Sequence, residues 1–176
     1  MVLCMGDDNI AGFLENFYKE LFTTSNSCNM EEVIQYTGLV VSEEMNRELV
    51  GEFSRVEVDM ALNQMAPLKA LGPDGMPPFF YQHYKQSIGN EVTDVVLDCL
   101  NIGKIPTGLN HTFLTLIPKV KSPEKVSNFR SIALCNILYK LISKVLANRL
   151  KKILPLVIFE SQSAFQANKA ISDNIY

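Results

Sequence analysis

The four cysteines, Cys4, Cys28, Cys99 and Cys135, are scattered, and no two of them form a C-x-x-C pair. Histidine occurs only twice, at His83 and His111. Neither a disulfide framework nor a zinc site is expected from so few ligands so far apart. The simplest reading is four reduced thiols in an intracellular protein. Long apolar runs are equally scarce. The longest, residues 153–159, is interrupted by Pro155 and falls far short of the roughly 20 residues a membrane-spanning helix needs. The opening residues, MVLCMGDD, turn acidic before a signal-peptide core can form. No membrane partner is expected.

Acidic residues are missing from one stretch in particular. Residues 104–152 hold ten Lys/Arg and a single acid, Glu124, whereas residues 1–103 hold five Lys/Arg and 16 Asp/Glu. The net charge of −3 conceals this division. Such asymmetry points to a polyanionic partner for the basic segment, or to acidic and basic parts that neutralise one another within the fold.

A chain of 176 residues suits one domain, with or without an appendage, and buries roughly 70% of its unfolded surface without a staple. Ile10, Phe13, Leu14, Phe17, Tyr18, Leu21 and Phe22 recur at helical spacing, with Asp7 or Asp8 as N-cap. Ser42 begins a short helix with Glu43 and Glu44 in its positive first turn. Ser54 and Glu57 spell a capping box before a stripe of Val58, Ala61, Leu62 and Met65. Gly72-Pro73-Asp74-Gly75 is strong turn chemistry, and Pro77-Pro78 pre-set a helical turn. Ser87 to Asn101 reads as a helix through Ile88, Val92, Val95, Val96, Cys99 and Leu100, closed by Gly103. A long helix runs from about Cys135 to Leu154. The expected class is α+β, predominantly helical, with one principal β-hairpin.

In the long helix, Leu138, Leu141, Ile142, Val145 and Leu146 form the apolar stripe, and Lys140, Lys144 and Lys151 the opposite side, an ordinary solvated face that could also approach phosphate. Arg149 falls inside the stripe. Its stem can be buried, but its guanidinium needs a partner: an ion pair, a set of carbonyls, or a nucleic acid. The hairpin, Leu114 to Ile117 with Phe129 to Leu134, carries Lys119, Lys121 and Lys125 at its tip and Arg130 just inside the returning arm. A hairpin tip needs only polar turn residues, so this charge marks either a merely solvated hairpin end or a site for an anionic ligand.

Three stretches in order, KALGPDGMPPFFYQHY, TLIPKVKSPEKVSNFRSIALCNILYKLISKVLANRL and QSAFQANKAISDNI, resemble the N-terminal part of the reverse transcriptase of non-LTR, LINE-type retrotransposons, most closely those of plants. The resemblance covers nearly the whole chain. It implies a partial right-hand polymerase: a helical linker over residues 1–66, then fingers and an incomplete palm over residues 67–176. By this resemblance the hairpin folds over an incoming deoxynucleoside triphosphate, with Lys119 and Arg130 meeting its phosphates. Gly72, Pro73, Asp74 and Gly75 would lie along the template, and Gln162, Phe165 and Lys169 near template and nucleotide. The implied partners are an RNA template, a DNA primer and the remainder of the polymerase. The implied compartment is the nucleus, although no dense Lys/Arg cluster offers a nuclear signal. The chemistry suits the assignment. An arginine fork with a lysine point charge is a sensible pair for a triphosphate, and a glycine turn lets backbone N–H groups approach phosphate.

Five residues at three places depart from the family's wording: Leu71, the Asn128 and Ser131 flanking Phe129-Arg130, and Asn168-Lys169. The family's catalytic carboxylates, which hold two Mg or Mn ions, belong to motifs later than Tyr176. From residue 104 onward the acids are Glu124, Glu160 and Asp173, with no pair at strand or helix spacing. The chain as given is therefore expected to lack catalytic residues and metal ligands, to bind at most, and not to polymerise. The alternatives are a residual RNA- or nucleotide-binding module acting through residues 104–152, or an interaction-prone relic with exposed apolar surface at LPLVIF.

Overall fold

The computed structural model describes residues 7–24, 31 and 40–158. It is a mixed α+β structure, mostly helical with a small β-hairpin. Two compact units are present: one combines the N-terminal helix with residues 115–132, the other combines residues 39–114 with the chain from 133 onward. Among the described residues no helix is long and apolar enough to cross a membrane.

In the first unit, α1 (Asp7–Phe22) lies against the distal half of the hairpin. Asp7 is itself helical, so neither Asp7 nor Asp8 is the cap expected from sequence. Tyr18 is buried, with Phe17 edge-on to its ring and Phe22 stacked at 5.9 Å. The hairpin strands are β1 (Thr112–Pro118) and β2 (Phe129–Cys135), joined through a single 3-10 turn at Val126–Asn128.

The second unit holds the larger core. α2 (Glu43–Val50) starts where expected, with the Ser42 hydroxyl accepting from Met45 N–H at 3.2 Å. α3 (Arg55–Asn63) follows Ser54, whose N–H and hydroxyl both donate to Glu57 Oε2 at 2.9 Å. α4 (Pro78–His83) begins on its proline, where the missing N–H costs nothing. Gln82 Nε2 donates to the carbonyls of Leu62 and Met65, each at 2.9 Å, satisfying the open end of α3. α5 (Lys85–Ile102) is closed by Gly103 at φ 74°, a left-handed position that favours glycine. α6 (Ile137–Val157) packs across α3 and α5. Val58, Ala61, Leu62, Met65, Tyr81, Val96, Cys99, Ile137, Leu141, Ile142 and Val145 make one continuous cluster. Residues 40–66 thus share one packed unit with residues 67–114.

Three details differ from the sequence expectation. Val95 and Leu146 are 40% and 47% exposed, because each lies about 100° round its helix from a buried neighbour, Val96 and Val145. Pro155 does not end α6, which continues to Val157. A proline in a last turn forfeits one hydrogen bond and leaves the remaining backbone helical. Cys135 ends β2, so α6 starts two residues later than expected, with Asn136 as its cap.

Arg149 is 8% exposed and spends its whole fork inside the protein. Nε donates to Glu57 Oε1 at 2.6 Å and Nη2 to Oε2 at 3.0 Å. Nη2 also reaches Glu52 O at 2.7 Å, and Nη1 reaches Leu49 O at 3.2 Å together with Gly51 O. The guanidinium carbon stands 3.5 Å from the centre of the Phe53 ring. The clamp reading of Arg149 is the one the structure bears out. Its charge sits at the negative end of α2, while Glu57 sits in the positive first turn of α3, so both helix dipoles are complemented. The Arg149 hydrogen bond is the largest influence holding the Glu57 carboxyl down, from an ordinary 4.5 to about 2.

Arg149→Ala would strand a carboxylate and three carbonyls, and is expected to cost about 3–5 kcal/mol in urea unfolding. Because the folded-state pKa of Glu57 is depressed, its contribution is complete above about pH 4.5 and is lost as the pH falls toward about 2. Urea midpoints of the unsubstituted chain should decline across that window more steeply than those of Glu57→Gln.

Candidate nucleic-acid interface

The hairpin end brings Lys119 and Arg130 together. Both are exposed, and they share a shallow groove of about 440 Å³ with Phe17, Tyr18 and Phe129. Lys119 N–H donates to Asn128 O at 2.7 Å, closing the ladder, and its ammonium donates to Ser127 O at 3.0 Å. One carbonyl leaves two ammonium donors for a ligand. Arg130 forms no ion pair among the described residues. The nearest acid in sequence, Glu124, belongs to the loop itself.

Asn128 braces that loop. Its side-chain oxygen accepts from the N–H groups of Glu124, at 3.3 Å, and Lys125, at 3.0 Å. A carboxylate would accept the same two bonds, so asparagine keeps the geometry at this departure from the family's wording. With the returning loop held this way, Lys119, Lys121, Lys125 and Arg130 project from a short, braced segment. Such a segment can meet several phosphate oxygens without first losing much conformational entropy.

The Gly72–Gly75 turn is in the second unit and does structural work. Gly75 N–H donates to Gly72 O at 3.0 Å, as a β-turn requires, and Gly75 has φ 65°. Gly72 is buried against the junction between β2 and α6. A Cβ there would press on the Cys135 carbonyl and come within 2.6 Å of Asn136 N. Asp74 Oδ2 accepts from Ile137 N–H and Oδ1 from Met76 N–H, each at 3.3 Å, which places a carboxylate at the positive end of α6. Asn136 returns the contact, accepting from Asp74 N–H at 3.1 Å. Its amide nitrogen donates to Gly108 O at 3.2 Å and to Leu109 O at 3.4 Å. Three segments therefore meet on one asparagine. Burial, and then the Asp74 charge, raise the Tyr81 hydroxyl pKa above its ordinary value. Lys140, expected on a solvated face, donates to Ala70 O at 2.7 Å and ties the same loop to α6.

Gln162, Phe165 and Lys169 lie outside the described residues. Sequence reasoning did not find Asn136. The available signal was an asparagine directly before a strongly periodic apolar helix, a cap position, although its side chain is used to join two loops and makes no cap bond.

These features define a mixed α+β, mostly helical protein with a cation-bearing hairpin. Over 166 residues, 92% of its length, the chain is 30% identical to the Transposon TX1 uncharacterized 149 kDa protein of Xenopus laevis. The chain spans 12% of that relative's length. No family model matches the sequence.

Gly72→Ala must displace backbone on two elements at once, and is expected to cost about 1–3 kcal/mol, in the range of core overpacking. Chemical denaturation of the two proteins side by side checks this. Gly75→Ala meets no atom within 4 Å and should be penalised only for its positive φ, by about 1 kcal/mol.

Proposed function

We propose that this chain is part of an RNA-directed DNA polymerase of a retrotransposon, comprising its fingers and the start of its palm, and that by itself it binds nucleic acid without copying it. The observation that carries the reading is the match to a transposon protein along 92% of the chain, over a sequence whose three ordered motifs resemble the polymerase of such elements. The exposed pair Lys119 and Arg130 supports it, as cations on a braced loop without carboxylate partners among the described residues. Their proposed ligand is the triphosphate of an incoming deoxynucleotide or the phosphates of the template. The carboxylates that hold the two metal ions are proposed to belong to later parts of a longer polymerase. RNA template and DNA primer are the proposed partners, and chromosomal DNA in the nucleus the proposed place of action.

Two measurements test this. The isolated chain with a primed RNA template and Mg²⁺ or Mn²⁺ should extend no primer; clear incorporation would refute the inactive-fragment reading. RNA affinity should fall with rising salt, as counterion release demands. Lys119→Glu combined with Arg130→Glu should weaken it about thirtyfold or more, since each of the two lost charge-assisted contacts is worth about 1 kcal/mol or somewhat more. Binding indifferent to both salt and this substitution would sink the proposal.

A further inference from the structure

A second groove, of about 560 Å³, runs between α3 and α6 in the larger unit. Its floor is Met60 and Gln64, and its α6 wall presents Lys144, Asn148, Lys151 and Lys152. Those four recur at i, i+4, i+7 and i+8, so they share one helix face. None of the three lysines forms an ion pair among the described residues. The one acid in the wall, Glu57, is already committed to Arg149 and Ser54. It leaves the lysine charges uncompensated. Lys151 and Lys152 are exposed and Lys144 is half-buried.

Asn148 supplies an independent observation. Its amide nitrogen is buried with no acceptor, a condition that costs about 1–3 kcal/mol. No protein hydrogen bond from that nitrogen is lost when the amide turns into the groove, where an anionic oxygen would accept from it. The groove therefore combines three cations with no ion pair, and a donor with no acceptor, among the described residues.

We infer that this α3–α6 groove is a second nucleic-acid contact, in which Lys144, Asn148, Lys151 and Lys152 hold the phosphodiester backbone of an RNA strand. The ligand class follows from the spread of charge. Residues 144 and 152 are about 12 Å apart along the helix, too long a row for one small anion and long enough for more than one phosphate of a strand. Lysines act as point charges and tolerate a strand that slides, so the contact is to backbone and carries no sequence preference. This inference rests on the nucleic-acid reading above but uses residues of the other unit, and the two can fail separately.

The test is fluorescence anisotropy with the full chain and a labelled mixed-sequence RNA strand of about 20 nucleotides, titrated over a range of KCl concentrations. Lys151→Gln with Lys152→Gln should weaken binding about tenfold and make the slope of log affinity against log salt shallower by about 1.4, or 0.7 per lost phosphate contact. Asn148→Asp, nearly isosteric, should weaken binding by a similar factor while leaving the thermal midpoint within a few degrees. Unchanged affinity and slope in both variants overturn the groove. So does polyglutamate of matched charge competing as well as RNA, which would make the surface a general anion face. If the hairpin variant weakens binding and the groove variants do not, the groove proposal falls and the polymerase reading stands. The reverse pattern keeps the groove and removes the hairpin contact. No RNA binding by the unsubstituted chain removes both.

Discussion

One guanidinium organises the larger unit. Arg149 enters from α6 and finds acceptors on the tail of α2, on the residues that follow it, and on the first turn of α3. A charge this well buried normally costs more than its partner returns. Here all five N–H groups have acceptors, the counter-ion is held bidentately, and Phe53 covers the remaining face. The same contacts close the α2–α3 corner, where helix-end carbonyls would otherwise need water. The apolar stripe on α6 could have packed in several registers; a cation at one position within it accepts only the register that delivers Glu57.

A second lock, built from smaller pieces, holds the start of the same helix. Asn136 stands at the N-cap position of α6, but its side chain binds the Gly72–Gly75 turn and the 108–109 loop instead of the helix. Asp74 replies by placing its carboxylate over the helix N-terminus. Lys140 adds a bond from α6 to the loop just before the turn. With Arg149 at one end and Asn136 at the other, both termini of the core segment of α6 are pinned by polar side chains. The apolar cluster between them can then pack in one arrangement.

The cations divide accordingly into two populations. Arg149 and Lys140 are satisfied by protein acceptors and carry structure. Lys119, Arg130 and the lysines lining the α3–α6 groove have little or no protein compensation, and it is on them that any polyanion must act. The basic stretch noted in the sequence is thus only partly available for binding. Neutralisation within the fold accounts for some of it, which was the competing explanation of the charge asymmetry.

Much of the fold was legible locally. Ser42, Ser54 with Glu57, Pro78 and Gly103 mark helix ends by chemistry that needs no distant partner. The hairpin strands are marked by two apolar flanks around a polar tip, and the buried stripe of α3 follows from periodicity. At the candidate interface, the sequence by itself determined which side chains carry charge and that Lys119 and Arg130 flank one turn. Only tertiary structure decided which cations are spent. Periodicity places Arg149 in the core but cannot name Glu57, 92 residues away, as its counter-ion. Turn propensity predicts Gly72-Pro73-Asp74-Gly75, yet it cannot see the backbone of Cys135 and Asn136 that makes Gly72 necessary. Local chemistry is written in neighbouring residues. The pairing of a buried charge depends on which distant helix packing brings within three ångströms.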